Sequence, residues 1–236
     1  MKKIFWMDTE TTGTEPSKHA ILTLDALVEV DGEVIDQVRL KGAPDPDQEV
    51  VKEALEVNGL SREQILEFPS STEMYKSLMS ALNSHINRYD SNDKFIVAGH
   101  NVKFDIAFLQ ELFARKSNKY FGAYFNYHTI DTMGMAQLLH YAGRVNLPNF
   151  KLETLAKIFD VPFVAHDSLE DIKTTKAVSE RMFEMLRHVK TPENRAEELM
   201  GRLEEVLGEL SLIGGALDTA LGRVRGLRGS LQECVE

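Results

Sequence analysis

The order of apolar and polar positions divides this chain into short strands and longer helices. Ile4-Phe5-Trp6-Met7 is an unbroken apolar run that meets polar Asp8, the pattern of a strand buried in a sheet. From Ala20 to Leu40 apolar residues dominate on either side of Asp31-Gly32, a dipeptide suited to a tight hairpin. Strands are therefore predicted at 21–30 and 33–40, in an antiparallel meander with the first. Residues 42–49, GAPDPDQE, carry two prolines and read as a loop. Helical spacing follows over 50–57, breaks at Asn58-Gly59 and resumes over 73–87, where Met74, Leu78, Leu82 and Ile86 recur at steps of four.

Residues 94–98 form a short apolar strand stopped by Gly99. A helix over 104–113 then collects Phe104, Phe108, Leu109, Leu112 and Phe113 on one side. The segment 130–139 reads as a strand passing into a helix, 152–159 as a helix and 169–189 as a long one. A strand meander followed by alternating strand and helix predicts an α/β fold, a mixed sheet with helices on its faces.

A chain of 236 residues with 43% hydrophobic content can bury one full-sized core with a little left over. No window reaches the roughly 18 apolar residues that span a bilayer. MKKIFWMD turns acidic too soon for a signal peptide, so a cytoplasmic chain with no membrane association is expected. The single cysteine, Cys234, offers neither a disulfide framework nor a thiolate metal site. A net charge of -10 excludes a protein that holds nucleic acid chiefly by bulk charge. An enzyme that grips a few nucleotides locally stays open.

The first strand should end inside DTETTG, Asp8 to Gly13. Side chains alternate on a strand, so Asp8 and Glu10 share a face and Thr9 points away. Two carboxylates so close repel unless something positive lies between them, and hard divalent cations take oxygen ligands of this kind. Mg²⁺ or Mn²⁺ is the natural occupant; a merely solvated acidic pair is the alternative. Thr11, Thr12 and Gly13 add hydroxyls and a turn whose backbone can approach a ligand. A second stretch, GHNVKFD from Gly99 to Asp105, leaves a strand and enters a helix. Asp105 suits the first turn of that helix, either as a cap or as a ligand, and Asn101 can donate to a substrate oxygen. A third stretch, HDSLED from His166 to Asp171, opens the long helix.

Together DTETTG, GHNVKFD and HDSLED resemble, in order and spacing, the three motifs of the DEDDh 3′-to-5′ exonucleases over about residues 3 to 187. The group includes the proofreading subunit of bacterial DNA polymerase III and RNase T. The resemblance implies an RNase H-like fold, a five-stranded mixed sheet flanked by helices. It also implies a two-ion site in which Asp8, Glu10 and Asp171 are the principal ligands and Asp105 completes the second position. His166 then takes the proton of the attacking water, and His100 and Asn101 contact substrate. Two positions depart from the pattern: Thr14 stands where many members carry an apolar wedge, and Thr23 where many carry a glutamate.

The activity implied is metal-dependent hydrolysis at the 3′ end of single-stranded or frayed DNA, in proofreading or repair. An RNA-trimming exoribonuclease and a silent polymerase-binding scaffold are the alternatives. The segment 115–128 interleaves Arg115, Lys116 and Lys119 with five aromatics; it reads first as a loop finishing the core, second as a stacking surface for single strands.

After Thr191-Pro192 a heptad runs through Leu203, Leu210, Leu217, Val224 and Leu231, with a partner series at Leu199, Val206, Ile213, Ala220 and Leu227. That is the seam of a coiled coil, yet Gly201, Gly208, Gly215, Gly222 and Gly229 repeat in the same register and each weakens a helix by about 1 kcal/mol. The expectation is two domains: a catalytic one at 1–190 and a helical tail at 191–236. The tail would serve self-association through 196–231 or docking to a polymerase or other replication protein.

Overall fold

The computed structural model describes residues 2–163, 168–187, 200–206, 208–211, 214–215 and 222–223. Strand β1 (Lys3–Thr11) lies at the middle of a five-stranded sheet ordered β3-β2-β1-β4-β5. It pairs antiparallel with β2 (Ile21–Val30), which pairs antiparallel with β3 (Glu33–Lys41) across the Asp31-Gly32 turn. Both turn residues take positive φ, 51° and 96°, as the sharp hairpin requires. On its other side β1 runs parallel to β4 (Phe95–Gly99), and β4 parallel to β5 (Phe125–Asp131). The sheet is mixed and flanked by helices, as expected.

Between β3 and β4 lie α1 (Lys52–Asn58), α2 (Arg62–Leu66) and α3 (Ser71–His85). Helix α2 goes beyond the sequence expectation. It spans barely more than one turn, so no apolar period could reveal it; its sign is the capping box between Ser61 and Gln64. After β4 comes α4 (Val102–Arg115), then α5 (Phe121–Tyr124) leading into β5. The aromatic segment read as a loop is thus a helical turn and an edge strand. Tyr124 and Phe125 do enter the core, while Tyr120 and Tyr127 remain 65% and 87% exposed. Helices α6 (Thr132–Tyr141), α7 (Leu152–Ile158) and α8 (Ser168–Arg187) complete the order.

Alternation along β1 explains the two sides of the sheet. Phe5 and Met7 join Leu24, Ala26, Val28, Val38 and Val97 in the main core, which α3 covers with Met74, Leu78 and Leu82 and α4 with Phe108, Leu109, Leu112 and Phe113. Ile4 and Trp6 face the other way and pack with Leu27 and Ala98 against Leu169 and Ile172 of α8. Helix α8 is tied down further where Lys176 meets Glu29 at 3.0 Å, the same carboxylate that accepts from the Trp6 indole at 2.9 Å.

The chain divides into two units, Met1–Glu184 and Met185–Glu236. In the second, 200–206 and 208–211 are helical, with Met200, Leu203, Val206 and Leu210 at least half exposed. The other heptad positions named above, Leu199, Ile213, Leu217, Ala220, Val224, Leu227 and Leu231, lie outside the described residues. Among the described residues no helix is long and apolar enough to cross a membrane.

Candidate active site

Because Asp8 and Glu10 follow Ile4 and Trp6 at steps of two, β1 delivers them to the α8 side of the sheet. Asp171 lies one turn into α8, whose Leu169 and Ile172 are packed on that same side. Asp105 comes from the first turn of α4, at the end of β4. These elements bring the acids to one place. Asp8 has its pKa raised well above the usual carboxylate value, first by burial and then by Asp105, Glu10, Asp171 and Asp25 in turn. Four carboxylates drawn from three other elements and from β1 itself therefore act on one carboxyl group.

Asp105 is 3% exposed, and burial pushes its pKa up to about 7. The opposing influence comes from Thr9, whose amide N–H and hydroxyl both donate to Asp105 Oδ1, at 3.0 and 2.7 Å. Thr9 points away from the acids beside it on β1, and so reaches the helix on the opposite side of the sheet. Sequence reasoning placed its orientation but not its use.

Asp25 was missed altogether. It stands opposite Asp8 in the β1–β2 ladder and opposite Arg39 in the β2–β3 ladder. A carboxylate in the middle of the mainly apolar strand ILTLDALVEV was the available signal.

The turn after β1 is built by its own side chains. Thr11 Oγ1 donates to the Gly13 carbonyl at 2.6 Å, and Thr12 Oγ1 donates to the Glu49 carbonyl at 2.6 Å while accepting from Ala20 N–H at 2.8 Å. These two threonines spend their hydroxyl hydrogens inside the protein. A Cβ at Gly13 would lie 2.3 Å from the buried His19 ring, so glycine is required there by packing. At the end of β4 a Cβ on Gly99 would lie 2.8 Å from the Met7 carbonyl, which fixes how closely the second motif approaches β1.

Asn101 takes a left-handed conformation, φ 60°, open to asparagine at little cost. Its amide donates to Asp131 Oδ1 at 3.0 Å, leaving its side chain exposed. His100 Nδ1 lies 2.8 Å from Thr132 Oγ1, and burial lowers the pKa of the ring against the opposing pull of Asp131. His166 lies outside the described residues. Beside Glu10 opens a cleft of about 500 Å³, lined by Thr23, Asp25, Arg39, Lys41, Asn58 and Ser168 among others, within the range of small-ligand sites.

Among the described residues no three His, Cys, Asp or Glu side chains are arranged to hold a metal ion by themselves. Asp8, Glu10, Asp105 and Asp171 are nonetheless one electrostatic group. That combination suits a hard cation of the Mg²⁺ kind, which keeps several waters, takes one or two carboxylates and fills its shell with substrate phosphate oxygens.

Residues 5–179 match the RNase T exonuclease family model. The chain belongs to the exonuclease family. With its RNase H-like sheet it is of the DEDD 3′-to-5′ type. Relatives of this exonuclease include the PolC-type DNA polymerase III of Thermotoga petrophila, 24% identical over 78% of this chain and 12% of that protein. That of Halalkalibacterium halodurans is 28% identical over 67% of this chain and 10% of the polymerase. Among solved structures, exonuclease I of Methylocaldum szegediense aligns with a TM-score of 0.65 at 19% identity, covering 84% of this chain and 45% of its own. E. coli exonuclease I bound to a dA16 oligonucleotide aligns at 0.61 and 20%, with the same coverage. The chain thus spans about a tenth of the polymerases and under half of the exonuclease I chains it matches.

Proposed function

We propose that this exonuclease removes nucleotides from the 3′ end of single-stranded or frayed DNA, releasing nucleoside monophosphates, and that it serves proofreading or repair with two divalent cations, Mg²⁺ or Mn²⁺. The observation that carries the reading is the carboxylate group centred on Asp8, whose pKa is raised first by burial and then by Asp105, Glu10, Asp171 and Asp25. Such mutual repulsion in a half-buried site is relieved by cations. DNA as the polymer is favoured by the polymerase relatives and by the exonuclease I–oligonucleotide complex.

Asp8, Glu10, Asp105 and Asp171 would hold the ions, which would supply charge neutralisation and activation of the attacking water. Thr9 holds the Asp105 carboxylate in one orientation through both its donors. His166 is assigned the proton that leaves the water as its oxygen bonds to phosphorus. The bond to the 3′ oxygen of the preceding nucleotide breaks, and that oxygen takes a proton from solvent. An imidazole suits the acceptor role because its ordinary pKa of about 6.5 leaves it largely neutral at pH 7. The cleft beside Glu10 gives the terminal nucleotide a place next to the acids, and the exposed side chain of Asn101 is free to meet substrate from the β4 end.

The test uses 5′-labelled DNA and RNA strands with Mg²⁺, with Mn²⁺ and with chelator. A ladder shortening from the 3′ end, dependent on the cation and stronger on DNA, supports the reading. Cleavage undiminished by chelator sinks the metal role, and a clear preference for RNA moves the function to RNA trimming.

For the tail, the exposed stripe of Met200, Leu203, Val206 and Leu210 supports association through a helix face, with a second copy or a replication protein as partner. The Leu203→Glu, Leu210→Glu double variant should lower the solution mass measured by light scattering. An unchanged monomeric mass in both proteins discards self-association.

A further inference from the structure

Asp25 is 3% exposed in the middle of β2, where a charged group is costly unless it is paired and useful. Its Oδ2 faces the Arg39 guanidinium at 3.4 Å and accepts a short hydrogen bond from the hydroxyl of Ser168. Arg39 balances the charge from β3, so the acid is accounted for without a cation of its own. The contact with Ser168 is of another kind, because it joins residues 143 positions apart and reaches the first residue of α8.

That first turn also packs Leu169 and Ile172 against Ile4, Trp6, Leu27 and Ala98. Apolar contact is non-directional and lets a helix end rock or turn on the sheet. A hydrogen bond to a buried carboxylate oxygen is directional. Asp171 follows Ser168 by three residues, nearly one full turn, so whatever fixes Ser168 fixes the direction in which Asp171 leaves the helix. Asp25 is also the cross-strand partner of Asp8. The anchor and the acid that Asp171 must meet are therefore neighbours on the same two strands.

We propose that Asp25 is a positioning residue of this exonuclease: through the Ser168 hydroxyl it sets the first turn of α8 and so places Asp171 against Asp8. The inference rests on the nuclease reading for its effect on rate, and on the Asp25–Ser168 contact alone for its effect on the helix. The two are measured separately. Wild type, Ser168→Ala, Asp25→Asn, Asp25→Ala and the Asp25→Ala, Ser168→Ala double variant are compared in kcat and KM on a 5′-labelled single strand, and in amide hydrogen exchange over residues 169–172.

Ser168→Ala removes one hydroxyl and should leave the thermal midpoint close to wild type. Its kcat should fall about tenfold, since a misplacement of the order of 1 Å costs up to about a hundredfold, with KM within about twofold. Asp25→Asn keeps an acceptor for Ser168 and should retain most of the rate. The double variant should be no slower than Asp25→Ala, because both changes cut one connection. Exchange at 169–172 should quicken in Ser168→Ala. A Ser168→Ala enzyme with wild-type kcat, rate losses that multiply in the double variant, or unchanged exchange over 169–172 each overturns the proposal. If wild type cuts no DNA while exchange still quickens in Ser168→Ala, the nuclease reading falls and the anchor stands.

Discussion

On the side of the sheet covered by α3 and α4, Phe5, Met7, Leu24, Ala26, Val28, Val38 and Val97 form one continuous apolar layer. On the side covered by α8 the apolar cluster ends at Ile4, Trp6, Leu27 and Ala98 and gives way to Asp8, Glu10 and Asp25 on the same strands. The strands are shared, so alternate residues of one polypeptide serve two purposes. The first side supplies stability through burial, at roughly 25 cal/mol per Å² of apolar surface. The second can then carry carboxylates in costly surroundings, as at Asp8, whose pKa is raised first by burial and then by the acids around it. A substitution on one side should move stability and spare rate per folded molecule; on the other it should do the reverse.

The largest effect expected is on the acidic side. Asp8→Ala removes the carboxyl group on which the other acids converge, and with it several kcal/mol of charge stabilisation in the transition state. At about 1.4 kcal/mol per decade that is a loss of roughly a thousandfold or more in kcat/KM, with circular dichroism unchanged. Activity within about tenfold of wild type would mean that these acids do not hold the catalytic cations.

The opposite test lies in the apolar layer. Leu78 is fully buried on α3, and Leu78→Ala should lower the free energy of unfolding by about 2–5 kcal/mol. At a temperature where the variant remains folded its kcat should stay within about twofold of wild type. A large loss of rate in a fully folded Leu78→Ala protein would break the division between the two sides.

This division also explains what was legible before any coordinates. The meander of β1, β2 and β3 could be read because each strand has its own apolar run and the hairpin its own dipeptide. The helix face Phe104, Phe108, Leu109, Leu112 and Phe113 kept its period, and the three acidic motifs announced themselves by type and spacing. Only the end of β5 was read, in the strand-to-helix passage at 130–139; the rest was hidden because Phe125 and Tyr127 belong to an aromatic cluster with no clear period, of which Tyr120 and Tyr127 turned out to be surface. The uses of Asp25 and Thr9 were hidden for a different reason. Their partners, Ser168 and Asp105, lie 143 and 96 positions away, and only the packing of α8 and α4 on the sheet brings them together.

A smaller effect, with a sign that depends on pH, is expected from Asp105. Its pKa of about 7 in the folded protein stands above its ordinary value of 3.8. A raised carboxyl group binds its proton more tightly when folded. Its contribution to stability is therefore fully present below about pH 4 and is lost as pH rises through about 7. With chelator present, wild-type stability should decline over that window. Asp105→Asn should lessen the decline, to which Asp8 also contributes, and put the variant above wild type in stability at pH 8, measured by denaturant unfolding. Adding Mg²⁺ should stabilise wild type at pH 8 more than the variant. A wild-type profile flat between pH 4 and 8 in chelator would show that Asp105 titrates as an ordinary carboxylate.

Thr9 is where the two sides meet, and it should give the smallest change. By alternation it belongs with Phe5 and Met7, yet its hydroxyl and amide both serve Asp105 Oδ1. Thr9→Val keeps the shape and the amide bond and deletes only the hydroxyl. Loss of one of two donors to the same oxygen leaves Asp105 anchored but freer to turn, and less favoured in its ionised form. The expected cost is about 1 kcal/mol in the transition state, a three- to tenfold fall in kcat, with Asp105 pushed higher in pKa. Thr9→Ser restores the donor and should restore the rate, whereas a purely packing role would make serine the worse replacement, since it loses the methyl group that valine keeps. If Thr9→Val matches wild type while Thr9→Ser is slower, the residue belongs wholly to the apolar layer and the boundary between the two sides runs between Thr9 and Asp105.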